Sequence, residues 1–172
     1  MIKAIYHGSN MEVPAPKLTK SDRALDFGIG FYTTENYEQA KDWAEKKFKR
    51  YGGQIVISKY EINTAELRIK EFKEIDSDWL DFICKCRSGI NISFENEYDI
   101  ISGSVANDTL FRIISFYEDG AYDYEYAIKR LKINPLYSQL CVCSETGISK
   151  LKYLGSEVGE YGENQNKSYD GI

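Results

Sequence analysis

The chain has 172 residues with a formal net charge of −5, a hydrophobic content of 42% and a charged content of 28%. These values describe one globular domain with a real core. The acidic balance argues against an extended nucleic-acid surface, which needs clustered basic residues. Residues 1–6 lack the apolar core of a signal peptide and no run reaches the length of a membrane span, so the expected compartment is the cytoplasm, with no membrane partner.

Residues 2–6 are short and apolar and read as a strand ended by His7-Gly8-Ser9. Residues 10–25 hold Pro14 and Pro16 without periodicity, and read as a long loop of the kind that carries function. Residues 26–34, Asp-Phe-Gly-Ile-Gly-Phe-Tyr-Thr-Thr, form a glycine turn running into a second strand. Glycine lets a backbone approach a ligand closely, so this is a candidate cradle; it also reads as a tight loop with Tyr32 in the core. Asn36 is placed as the N-cap of a helix to about residue 50, with Tyr37, Ala40, Trp43, Ala44 and Phe48 on one stripe. Its Lys46, Lys47, Lys49 and Arg50 read as a solvated face. Gly52-Gly53 ends that helix, and an alternating strand follows over 54–60.

Residues 67–72 fit strand or helix equally. A helix capped by Ser77 runs to about residue 86, and a strand over 98–101 is ended by Ser102-Gly103-Ser104. Helices over 107–117 and 122–133, a strand over 138–144, a helical turn over 145–150 and a last strand over 151–156 complete the domain, set at 1–157. Residues 158–172 are poor in apolar side chains and read as a flexible tail. Short strands scattered among helices, without regular alternation, indicate an α+β fold. No dinucleotide-binding glycine fingerprint follows the first strand, and no phosphate loop is present.

The four cysteines form two Cys-x-Cys pairs, Cys84/Cys86 and Cys141/Cys143, a spacing that suits buried thiols better than zinc. A single histidine rules out multi-histidine metal sites, so no metal is expected. Taken alone, His7 reads as a hydrogen-bonded structural residue. A cysteine nucleophile paired with it is the weakest reading.

The order of the motifs adds more. Tyr6-His7-Gly8-Ser9, Phe27-Gly28-Ile29-Gly30-Phe31-Tyr32 and Tyr137-Ser138-Gln139-Leu140-Cys141-Val142-Cys143 resemble, in sequence order, the His, Tyr and Glu motifs of the ADP-ribosyltransferase superfamily, in its diphtheria-toxin and poly(ADP-ribose)-polymerase branch. With residues 98–108, the chain is also similar to small bacterial toxin-like proteins of this fold, often encoded beside an antitoxin. The resemblance spans roughly residues 2–156. It implies an α+β fold with a split β-sheet core flanked by helices. It implies mono-ADP-ribosyl transfer from NAD as co-substrate to an unidentified macromolecule, with nicotinamide release, and a cognate antitoxin as partner.

The resemblance also assigns roles. His7, Tyr32 and Gln139 stand at the catalytic positions. His7 would bond the ribose, the Gly8 backbone the carboxamide, and Ser9 the ribose or the turn; Tyr32 would stack on the nicotinamide. Gly28, Gly30 and Phe31 shape the cradle, and Asp108 ends the 98–108 segment. Asp26 would contact ligand or bond the turn backbone. Gln139 stands where the family has glutamate, so the site lacks a charge there, with Asp99 and Asp108 as candidate replacements. Tyr137 does not match the arginine-specific pattern. The departure at Gln139 favours single transfer over polymer elongation, and leaves a weak or inactive NAD/ADP-ribose-binding protein, or an NAD glycohydrolase, as alternatives.

Overall fold

A computed structural model describes residues 1–22, 24–105, 108–132 and 137–160. Two sheets face each other between layers of helix. One has the order β1-β3-β7, from β1 (Ile2–Ser9), β3 (Ile55–Asn63) and β7 (Leu151–Gly159). The other has the order β2-β6-β5-β4, from β2 (Phe31–Thr33), β6 (Ser138–Val142), β5 (Ile100–Ser104) and β4 (Ile69–Glu71). All pairs are antiparallel except β4–β5. The α+β reading holds.

Apolar residues on both faces of each sheet require three cores. Ile55 and Ile57 of β3 pack with Ala40 and Ala44 of α1 (Tyr37–Tyr51). The other face of β3 sends Tyr60 and Ile62, with Ile5 of β1, against Phe31, Ile100, Leu140 and Val142 of the second sheet. The outer face of that sheet, with Ile101, Cys141 and Cys143, is covered by Trp79, Leu80 and Ile83 of α2 (Ser77–Arg87), Leu110, Ile113 and Ile114 of α3 (Asp108–Glu118), and Ala127 and Leu131 of α4 (Tyr124–Leu131). A short α5 (Glu145–Ser149) leads into β7.

Several boundaries differ from the sequence reading. β1 continues through His7-Gly8-Ser9, and β5 continues through Ser102-Gly103-Ser104. Both glycines are strand residues at close approaches rather than stops: a Cβ on Gly8 would lie 1.8 Å from the Ala40 carbonyl oxygen, and one on Gly103 would lie 3.0 Å from Phe72. The ambiguous 67–72 segment is a strand, β4. Asp76, not Ser77, caps α2, because its Oδ1 accepts from the Trp79 N–H at 3.0 Å. Asn36 caps α1 as expected, accepting from the Gln39 N–H at 3.1 Å. Among the described residues no helix is long and apolar enough to cross a membrane. β7 runs two residues past the expected domain end, and residues 161–172, most of the expected tail, lie outside the described residues.

Candidate functional site

The two sheets meet at one point and then part. Tyr6 of β1 and Thr34 after β2 exchange reciprocal backbone bonds, Tyr6 N–H to Thr34 O at 2.8 Å and Thr34 N–H to Tyr6 O at 3.0 Å. In an antiparallel strand the backbone polar groups of alternate residues point the same way. Gly8 therefore directs its N–H and C=O to the side that Tyr6 shows to Thr34, away from β3. Tyr32, two residues before Thr34, directs its own back toward β1. Gly30, two further, pairs with Thr19 of the long loop. Gly8 and Tyr32 thus turn backbone groups toward each other in the gap where β1 and β2 part, between the Tyr6–Thr34 bonds and the Thr19–Gly30 bridge.

His7 fills part of this gap. Its Nδ1–H donates to the Tyr32 carbonyl at 2.7 Å; a carbonyl only accepts, so this bond fixes the tautomer and leaves Nε2 as the acceptor. The ring is partly buried against Phe31, with centroids 4.6 Å apart and planes tilted by 30°. Burial, and then the nearby Lys47 ammonium, lower its pKa from 6.5 to about 3, against the opposing bond to Tyr32. The imidazole is neutral at physiological pH. Lys47 Nζ lies 3.4 Å from Nε2 and is itself shifted down by burial.

Tyr32 is anchored at both ends. Its hydroxyl donates to the Gly28 carbonyl at 2.7 Å and accepts from the Phe27 N–H at 3.0 Å. Burial and then the Cys141 thiol push its phenol well above 10, so it stays protonated. Tyr32 pairs across the ladder with Cys141, and Gln139 lies two residues from Cys141, so Tyr32 and Gln139 share one face of the sheet.

Gln139 is buried, and its Nε2 donates to Asp26 Oδ2 at 3.0 Å. Asp26, also buried, holds Arg87 of α2 through Oδ1, at 2.6 Å from Nη2 and 3.2 Å from Nε. Ser138, Gln139 and Leu140 line a cleft of about 470 Å³, with Ser102, Gly103 and Ser104 beside them and Lys3, Glu35, Glu71 and Lys73 at its walls. Gln39, buried in α1, donates to the Ser138 carbonyl at 2.8 Å and accepts from the Thr34 hydroxyl at 3.0 Å, which ties the start of β6 to the end of β2.

The structure thus brings His7 to the Tyr32 backbone, Tyr32 to the face of Gln139, and Gln139 to Asp26. Ser9 is buried on the His7 side of β1. Phe31 is a core residue beneath His7. Gly28 has a φ of 72° and a Cβ there would meet the Ile92 carbonyl at 2.3 Å; at Gly30 it would meet Cys141 Sγ at 2.3 Å. Packing alone requires both glycines. The Asp108 side chain lies outside the described residues.

Asp99 does not replace the missing charge at 139. It sits opposite Cys143, four residues and about 13 Å along β6 from Gln139. Its carboxylate is taken by Arg68, at 2.9 Å and 3.1 Å, and by the Ser144 hydroxyl at 2.6 Å, contacts that hold it well below the usual range. The cysteines are free thiols, and burial first of all pushes Cys84, Cys86 and Cys143 up to about 12 and Cys141 well above its ordinary value, which keeps them protonated at neutral pH.

Sequence reading missed two members of this site. Lys47 reads as part of an exposed basic cluster, yet it follows Ala40 and Ala44 at seven and three residues, the phase of the buried stripe. Arg87 carries no local signal, since its partner lies 61 positions away.

The fold and site define an α+β protein with a polar backbone gap between two sheets and a buried amide–carboxylate–guanidinium chain beside it. The chain belongs to the family described as Protein of unknown function (DUF3990), whose model matches residues 3–153. No curated protein and no solved structure matches it.

Proposed function

We propose that this chain is an NAD-dependent mono-ADP-ribosyltransferase, and that its two parted sheets are the split core of that fold. The observation that carries the reading is the gap between Gly8 and Tyr32. A nicotinamide carboxamide offers an N–H donor and a carbonyl acceptor, and Gly8 turns the complementary pair of backbone groups into the gap. The Tyr32 ring is fixed by its two hydroxyl bonds, so stacking on a nicotinamide carries little ordering cost. His7 is neutral, and its acceptor Nε2, which Lys47 Nζ reaches at 3.4 Å, is the atom that would meet a ribose hydroxyl in place of that ammonium. Gln139, on the same face of the sheet as the Tyr32 ring, meets the sugar.

In the reaction the bond between ribose C1′ and the nicotinamide nitrogen breaks, and its electron pair leaves on that nitrogen. A lone pair of the acceptor forms the new bond to C1′, and the acceptor's proton passes to solvent. Gln139 brings no charge to this step, which supports single transfer rather than chain elongation. The toxin role and its antitoxin rest on the motif resemblance alone.

Folded protein is incubated with labelled NAD⁺ and cell extract. Nicotinamide release and label transfer that vanish in His7→Ala are the expected result; neither product from wild type overturns the reading. One observation favours a second reading, a ligand-binding protein without turnover: the carboxylate nearest Gln139 is already neutralised by Arg87. Calorimetric ADP-ribose binding without nicotinamide release would select it.

A further inference from the structure

We infer that Asp26, backed by Arg87, is a positioning residue that locks the Gln139 amide with its carbonyl oxygen turned toward a sugar hydroxyl; this rests on the transferase reading. Three segments distant in sequence converge here: the loop before β2, the last residue of α2 and the second residue of β6. The group facing Asp26 at 3.0 Å is the Gln139 NH2, which donates to Oδ2. Oε1 is then on the branch turned away from Asp26. The Gln139 side chain stands on the Tyr32 face of the sheet, beside the ring that the transferase reading stacks on nicotinamide. An amide fixed in this way offers the acceptor that a glutamate oxygen would offer, polarised by the carboxylate behind it.

Stability gives no reason for the arrangement. A buried ion pair is often no better than apolar side chains of the same volume, because desolvation offsets the attraction. Its geometry does serve orientation: Arg87 holds one carboxylate oxygen with two N–H groups, and the other oxygen is set for Gln139. Position 139 in this chain is built for an amide. A glutamate there would lie beside Asp26 as a second carboxylate.

The test compares wild type with Asp26→Asn, Gln139→Glu and the double variant, each confirmed folded by its melting curve. Asp26→Asn frees the amide to turn over, so kcat for nicotinamide release falls about tenfold or more while KM for NAD⁺ stays within about threefold. Gln139→Glu falls comparably. In the double variant amide and carboxylate have changed places, and kcat recovers to within about threefold of wild type. An unchanged kcat in Asp26→Asn, or losses that multiply in the double variant, overturns the inference. Should Gln139→Glu not fold, Asp26→Asn decides alone. If wild type releases no nicotinamide, the transferase reading falls and the nuclear magnetic resonance signal of the Gln139 side-chain amide decides this one: it must move in Asp26→Asn, and a signal that stays in place overturns the positioning role.

Discussion

Acid should act on this protein through His7. The folded imidazole is held at a pKa of about 3, by burial first and by Lys47 second, while in the unfolded chain it titrates near 6.5. Between these values the unfolded state takes up a proton that the folded state refuses. The contribution of His7 to stability is therefore complete above pH 6.5 and is lost as pH falls toward 3. Linkage over those two pKa values puts the loss from pH 7 to pH 5 at about 2 kcal/mol. The control is His7→Asn, whose amide can still donate to the Tyr32 carbonyl but takes no proton. Urea denaturation of both proteins at the two pH values measures the difference directly. Wild type should lose about 2 kcal/mol more than the variant over this interval. Equal losses would refute the argument that the imidazole is buried and neutral.

Other substitutions probe the remaining supports of the site. Gly8→Ala places a methyl against the Ala40 carbonyl and should cost at least about 2 kcal/mol in urea titrations; an unchanged midpoint would mean α1 does not press on β1 there. Tyr32→Phe keeps the ring but strands the Phe27 N–H and removes the bonds that fix the ring, a loss of about 1–3 kcal/mol by thermal denaturation, with weaker NAD⁺ binding. Ser144→Ala removes a hydroxyl that donates to Asp99 and accepts from the Gly147 N–H, and should lower stability by about 1–2 kcal/mol. Lys47→Met should raise the His7 pKa in a resonance titration without returning it to 6.5, since burial is the larger cause; a full return would contradict that ranking.

Much of the frame can be read from local chemistry. Asn36, the stripe through Ala40 and Ala44, and Gly52 mark the start, face and end of α1, and α1 has those bounds. The errors at β1 and β5 share one cause. Gly8 and Gly103 carry the composition of turns, but what fixes them in strands is contact with Ala40 and Phe72, and contact is not local. Of the site, His7, Tyr32 and Gln139 are visible in motifs because each motif is a short run on, or leading into, a single strand. The pairing of Asp26 with Arg87 depends on where α2 lands across the sheet, and no window of sequence contains both residues. Gln39 is a similar case: it lies in the first turn of α1, and only the fold reveals that it fastens β6 to β2.

The point where the sheets part has a consequence for fit. Beyond Tyr6 and Thr34, the spacing of β1 and β2 is set by the side chains wedged between the sheets, with Phe31 edge-on to Tyr60 at 5.4 Å and Ile5 beside them. These residues act as a spacer, and their combined volume sets the aperture above. A change such as Phe31→Leu would narrow that aperture without touching a ligand. In the proposed transferase, selection of the ligand would therefore be exerted from within the hydrophobic interior.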